Sequence, residues 1–410
     1  MKYPALYSDS EVSALRKLII HRPDAGIEKV TPSRAVQLLY EDIVFLPKMQ
    51  EEHDVFTEAI ACFIGRESIF DVQSLLADIL KQEEVRYKLV HTVCTKEKCP
   101  ERVEDFLLET DPAVLAGTLI SGVLHHKKKI PVFYPLPNLI FTRDIGIMIK
   151  DKLLISNFAK EARSRESILC EAIFRYHPLF ESINKSEGVI SLEAAEAFEG
   201  GDFTMLTPDH LLIGSSERTY PESIQLIIKK LFENNLLEKV SVVEMPKVRY
   251  CMHLDTIFTQ LSQNEYVAYA PLVLEADKMP VHTYTKGEKE ASTYTSLSET
   301  VLQENKQAQF IACGEGVFPH DEREQWTDGC NLFCVKDGVA FAYDRNIRTN
   351  AAFEKRGYRI VKAADIIKEF KAGLKSEQVQ KTIITIPSSE LSRARGGPHC
   401  LTLPILRGPH

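Results

Sequence analysis

The sequence predicts an α/β fold in which one mixed module recurs around a shared core, with a helical stretch inserted near the start. Three observations lead to this reading. A polar residue, often an acid, repeatedly precedes two short apolar runs joined by a polar turn. Segments with helical apolar spacing separate several of these pairs. One stretch, from about Pro47 to His126, lacks the pattern and carries long helical patterns instead.

The elements follow in chain order. Asp144 precedes IGIMI, the turn KDK and LLISNF. Asp202 precedes FTML, TPDH and LLIGSS. Asp255 precedes TIFTQL, SQNE and YVAYAPL. Asn331 precedes LFCV, KDG and VAFAYDRN, and Cys400 opens LTLPILR. Each pair of runs reads as a hairpin. Glu166–Phe180, Glu222–Asn234 and Ala363–Phe370 read as helices, with Val240–Glu244 and Lys381–Ile386 as strands after them. Repeats of this length suggest a circular array. Residues at the same place in each unit then meet near the axis, which puts Asp144, Asp202, Asp255 and Cys400 in one site. The stretch 47–126 carries helical patterns at Glu51–Ile64, Phe70–Lys81, Val103–Leu107 and Ala113–His125. We therefore expect a catalytic body of residues 1–46 and 127–410 and a helical insertion of 47–126.

Composition narrows the function. The chain has 410 residues, 44% hydrophobic and 26% charged, which is ordinary for a globular protein. A net charge of −8 gives no basic excess for a nucleic-acid backbone. The short basic run His125–Lys129 reads as a solvated turn. No secretory signal and no eighteen-residue apolar run are visible, so neither export nor a membrane span is expected. The nine scattered cysteines suit the reduced thiols of a cytosol. Cys94 with Cys99, and Cys330 with Cys334, lack the further ligands a zinc site needs and read as packing residues.

Several segments carry chemistry. Gly396, Gly397 and Pro398 form a turn that presents Cys400 at the mouth of a strand, where the bland alternative is a buried cysteine. His253 lies two residues before Asp255, and on a strand both would face one space. Glu199–Asp202, EGGD, sets two acids around a glycine pair, where the bland alternative is a solvent turn. In NLIFTRD an apolar run meets Arg143 and Asp144, which alone could be a strand end with an internal ion pair. Together, carboxylates, one histidine and one thiol suit a planar guanidinium cation, which pairs with carboxylates in bidentate fashion.

These segments, with IIHRPDAG, LYEDIVFL, PLPNLIFTRD, GSSERT, PKVRYCMHLDT and REQWTDGCN, closely resemble the arginine deiminase family over nearly the whole chain. The resemblance implies a five-module α/β propeller with an inserted helical domain, no cofactor and no metal. It implies Cys400 as nucleophile, His253 as general acid/base with Glu199 as its partner, and Asp144 and Asp255 on the guanidinium nitrogens. Arg163 and Arg218 match positions that bind the substrate carboxylate. Asn138, Phe141 and Asp202 match further pocket residues, and Arg395 matches a gate residue. The implied reaction is hydrolysis of free L-arginine to citrulline and ammonia through an amidino thioether, the first step of arginine catabolism. A cytoplasmic homo-oligomer, dimer or tetramer, is the expected form. One departure stands out: Ser392 and Ala394 stand where the family usually has glycines, which predicts a stiffer loop.

Other readings stay open on the sequence alone. An agmatine deiminase, a methylarginine hydrolase or an amidinotransferase would use the same residue types. A silent binding protein would keep the fold without the activity. A papain-like protease fits poorly, because no Cys–His–Asn order follows Cys400.

Overall fold

Hairpins and returning strands make five sheets, beside a two-stranded sixth of Val123–His125 with Lys129–Pro131, in the computed structural model, which describes residues 5–125, 129–192 and 196–408, without the side chains of 125 and 129–131. Residues 126–128 of the basic run lie outside the described residues.

The same unit recurs in each of the five. Gly146–Ile149 pairs antiparallel with Lys152–Ile155, which pairs parallel with Val189–Ile190. Phe203–Thr207 and His210–Ser215 form the next hairpin, followed in parallel by Lys239–Glu244. This sheet is extended by Val281–Thr285 and Ser292–Tyr294. Phe258–Gln260 and Glu265–Ala268 are joined by Gln309–Ala312. Phe333–Lys336 and Val339–Tyr343 are joined by Thr382–Ile386, with Arg359–Lys362 at the edge. In the last sheet the two ends of the chain meet: Leu403–Arg407 pairs antiparallel with Leu15–Ile20, which pairs parallel with Ile69–Asp71. Among the described residues no sheet closes on itself. No helix there is long and apolar enough to cross a membrane.

Parallel strands need a crossover, usually a helix. Ser164–Tyr176 and Pro221–Glu233 supply two of them. Leu46–Ile64 supplies the one between Leu15–Ile20 and Ile69–Asp71. Pro47 sits in the first turn of that helix, where its missing N–H costs nothing, and Gly65, at φ 80°, stops it. Leu46, Met49, Phe56 and Ile60 form its buried face, and the Phe56 ring meets Phe341 edge-on at 5.2 Å. The sequence reading assigned this helix to the insertion. In the structure its buried face packs on two of the sheets. The helices that follow are Val72–Ile79, Glu83–Glu97, Glu101–Leu108 and Pro112–Ser121. Helix Glu83–Glu97 has no counterpart in the sequence reading. Its buried Val85, Leu89, Val90 and Val93 are diluted by charged neighbours.

Helix Leu46–Ile64 also reaches the loop before Cys400. Glu52 is fully buried, and its carboxylate accepts from the backbone N–H groups of Ser389, Glu390 and Leu391, each at 2.9 Å. We predict that Glu52→Ala, by leaving these donors unpaired, destabilises the protein by about 1–3 kcal/mol. Glu51→Ala, which removes only a surface pair with Lys48, should change stability by less than about 1 kcal/mol. Denaturant unfolding of both variants checks this, and equal small losses would contradict the anchor.

Candidate active site

A short 3₁₀ turn precedes three of the hairpins, and each turn carries one of the acids. Thr142–Ile145 holds Asp144, Gly200–Asp202 holds Asp202, and Leu254–Thr256 holds Asp255. The middle turn packs on the other two. Gly201 permits this approach, since a Cβ there would stand 2.8 Å from the His253 ring. Its N–H donates to Asp144 Oδ1 at 3.2 Å.

Arg163 lies at the centre of the buried charge. Nη1 donates to Asp144 Oδ2 at 2.7 Å and to Glu199 Oε2 at 3.3 Å. Nε and Nη2 both donate to Glu166 Oε2, and Nη2 also reaches the Asn138 carbonyl. The guanidinium stacks on Phe158, 4.1 Å from the ring centre. Arg163 is therefore a counter-ion to three carboxylates in this structure, whereas the sequence reading had it waiting for a ligand's carboxylate. Arg218 donates to Glu199 Oε1 at 3.4 Å and to Glu217 at 3.2 Å. Asp144, Glu199 and His253 offer donor atoms within 4.8 Å of one another, as a metal site would. The Arg163 guanidinium already lies between the two carboxylates.

His253 does not sit on a strand. Its backbone is extended, and it directly precedes the turn that holds Asp255. Its Nε2 is 3.1 Å from Glu199 Oε2, and its Nδ1 is 3.8 Å from Asp144 Oδ1. Burial alone would lower this imidazole, but Asp144, the Glu199 bond and Asp202 outweigh it and raise its pKa to about 9. Against burial, Arg218, the His253 bond and Arg163 hold Glu199 well below the usual carboxylate range. Asp202 accepts from Ser216 Oγ at 2.6 Å and from the Leu254 N–H at 2.9 Å. Burial outweighs these bonds and raises its pKa to about 7.

Cys400 is held from two sides. Its N–H donates to Asn331 Oδ1 at 3.0 Å, and its carbonyl accepts from the Arg143 N–H at 3.1 Å. Its Sγ is 3.5 Å from Asp255 Oδ2. Burial first, then Asp255, Asp144 and Asp328, push the thiol well above its ordinary value. The same Asp255 oxygen takes a 2.8 Å bond from His399 Nδ1, while Oδ1 is buried without a partner among the described residues.

A small cavity of about 20 Å³ lies among these groups. Asn138, Phe141, Asp144 and Arg163 line one side, with Arg218, His253, Arg395 and Cys400 completing it. Glu199, Asp202 and Asp255 stand behind this lining. Arg395 has left-handed backbone at φ 64° and stacks on Trp326 at 3.5 Å. None of its three guanidinium nitrogens has a hydrogen-bond partner among the described residues. Ser392 and Ala394 lie in a right-handed 3₁₀ turn, Leu391–Ala394, so neither needs the backbone freedom of glycine. Ser392 stiffens the loop through its hydroxyl, which donates to the Ser388 carbonyl at 2.6 Å and accepts from Arg345 Nη1.

Sequence reasoning missed four contributors: Glu166, Asn331, His399 and Glu11. Asn331 heads its hairpin as the acids head theirs, and His399 adjoins Cys400, so both had a positional signal. Glu166 lies three residues after Arg163 on a helix start, a spacing that puts them on one face. Nothing in the sequence around Glu11 announces its role.

The fold has relatives among solved structures. It is similar to a Cys-to-Ser variant of dimethylarginine dimethylaminohydrolase from Pseudomonas aeruginosa complexed with citrulline, at TM-score 0.52 and 17% identity, covering 96% of this chain and 99% of that one. An arginine deiminase of Bacillus cereus is 30% identical over 99% of each chain. Arginine deiminase 1 of Staphylococcus epidermidis is 28% identical over 97% of each. A family model described as arginine deiminase matches residues 122–407. The chain belongs to the arginine deiminase family and is an enzyme of it.

The raised pKa of His253 has a checkable sign. Its charged form contributes stability that is complete below its ordinary pKa of 6.5 and is lost as pH rises through about 9. Glu199→Gln removes the acceptor's charge, so His253 should titrate at lower pH in that variant than in the wild type. NMR titration of the ring resonances measures both values, and an unchanged midpoint would sink the assignment.

Proposed function

We propose that this enzyme hydrolyses the guanidinium group of free L-arginine to L-citrulline and ammonia through a covalent amidino intermediate on Cys400. The observation that carries this reading is Asp255: one oxygen is shared by the Cys400 thiol and His399, and the other is buried without a donor. A buried acceptor left empty beside a thiol is a place for an N–H cation. The match to arginine deiminases along nearly the whole chain supports arginine as that cation's source. The cytoplasmic setting, the homo-oligomer, the first catabolic step and a five-module propeller arrangement belong to the same reading. So does a helical insertion, which we now start after Asp71, because helix Leu46–Ile64 crosses between strands of the body.

The chemistry follows from charge. At rest Cys400 is a thiol surrounded by acids. A guanidinium seated between Asp144 and Asp255 brings the positive charge that favours the thiolate, and the thiol proton passes to water. Its arrival takes over the Asp144 oxygen that Arg163 holds, and Arg163 with Arg218 becomes available to the substrate's α-carboxylate. The sulfur then bonds to the guanidinium carbon. His253, charged near neutral pH, gives its proton to a terminal nitrogen, and the C–N bond breaks with release of ammonia. Neutral His253 next takes a proton from water, the hydroxide adds to the amidino carbon, and the C–S bond breaks to give citrulline and free Cys400. Acid–base help of this kind contributes roughly 10²–10⁴ in rate. A cavity of about 20 Å³ holds about one water, so arginine enters only when the loop bearing Arg395 moves aside.

Two experiments test the reading. Cys400→Ala should abolish citrulline formation while the protein stays folded, and acid quenching of the wild type during turnover should trap the adduct on the peptide carrying Cys400. An adduct on Cys251 or Cys330 would move the nucleophile. The second compares arginine with agmatine, which lacks the carboxylate. Each charge-assisted pair is worth about 1.5–3 kcal/mol, so Arg163→Ala or Arg218→Ala should lower kcat/KM for arginine about 10- to 100-fold. The slow rate on agmatine should barely change. Equal proportional losses would mean that these arginines serve the acids alone.

A further inference from the structure

Behind Asp255 a line of polar groups runs away from the cavity. His399 Nδ1 is 2.8 Å from Asp255 Oδ2, and its Nε2 is 3.3 Å from Glu11 Oε2. Glu11 comes from the start of the chain, and His399 and Asp255 are almost fully buried. Arg143 braces the line: its Nη1 is 3.9 Å from Glu11, and its Nε donates to the His399 carbonyl at 3.4 Å. Each ring nitrogen of His399 thus meets a carboxylate oxygen, and the ring cannot turn without losing both contacts.

We propose that His399, fixed by Glu11, is a positioning residue: it grips Asp255 Oδ2 and so keeps the carboxylate ionised with Oδ1 turned to the substrate guanidinium. This rests on the assignment of Asp255 to that cation. Without such a grip, a carboxylate shared with a thiol has nothing to fix its plane, and proton uptake would cost it the bidentate geometry a guanidinium needs. The groups that face Asp255 are His399 and Cys400 from the terminal loop, His253 ahead of its own turn, Arg143 from the Thr142–Ile145 turn, and Asp328. Burial opposes its ionisation, and the His399 bond is the first influence that lowers its pKa, ahead of His253 and Arg143.

The experiment uses L-arginine binding to full-length Cys400→Ala by calorimetry across acidic to neutral pH, with kcat/KM profiles of the same changes in the active enzyme. His399→Ala removes both contacts. His399→Asn keeps an amide N–H where Nδ1 stands, and Glu11→Gln keeps the acceptor without its charge. His399→Ala should weaken arginine binding about 10- to 100-fold and move the acid limb of binding and of kcat/KM to higher pH. His399→Asn should restore most of the affinity, and Glu11→Gln should shift the limb in the same direction by less. An unmoved acid limb, or equal losses in the Ala and Asn variants, would overturn the positioning role, since a merely structural histidine moves neither. Arginine binding with the expected shifts but no citrulline from the wild type would refute the proposed reaction and leave the clamp standing. No arginine binding at any pH would overturn both.

Discussion

Buried negative charge is what the rest of this molecule must accommodate. Asp144, Glu166, Glu199, Asp202 and Asp255 lie within one region at 3% exposure or less. Isolated, each would cost several kcal/mol to take out of water, so each needs a cation, a donor or a proton. The chain uses all three. Arg163 serves Asp144, Glu166 and Glu199 together, and Arg218 adds a second cation on Glu199. His399 serves Asp255. Asp202 has neutral donors in Ser216 and the Leu254 N–H, and burial raises its pKa to about 7.

This arrangement explains why the thiol is quiet at rest. Every cation near Cys400 is engaged elsewhere, on an acid or on Trp326, and the acids themselves discourage a thiolate. A thiol surrounded in this way is disfavoured as a thiolate unless positive charge comes close to Asp255. A neutral amide, the substrate of a papain-like enzyme, brings no such charge. The same reasoning accounts for Arg163. It pairs with three of the acids at once, which spares the fold an uncompensated charge.

The repeat was legible because each hairpin is short, apolar and headed by a polar residue, a pattern that survives in one dimension. The crossover helices were legible where one face is cleanly apolar, as in Pro221–Glu233. Glu83–Glu97 escaped because charges interrupt its buried face, and helix Leu46–Ile64 was seen without its packing partners, since periodicity does not say which sheet a face will meet. For the site, family motifs named the residues but not their partners. Arg163 matched a carboxylate-binding position, yet its contacts span up to 36 residues and depend on how the turns stack. Glu11 lies 388 residues from His399, and only the closure of the first strand on the last brings them together. The substitution at Ser392 was visible, but its effect through a hydroxyl rather than through backbone angles was not.

The loop before Cys400 shows how the two halves of this design meet. Its near end is fixed to helix Leu46–Ile64 by Glu52, and its far end to Asn331 through the Cys400 N–H. Between these anchors the Arg395 guanidinium has no hydrogen-bond partner among the described residues, although a buried guanidinium normally needs several. Other contacts hold the middle: the Tyr343 hydroxyl donates to the Gly396 carbonyl at 2.6 Å, and Arg393 Nε donates to Asp42 at 2.9 Å. The Ser392 hydroxyl adds its contacts to Arg345 and Ser388. The loop is therefore tied down along its length, with the Arg395 guanidinium set over an aromatic ring rather than on an acceptor.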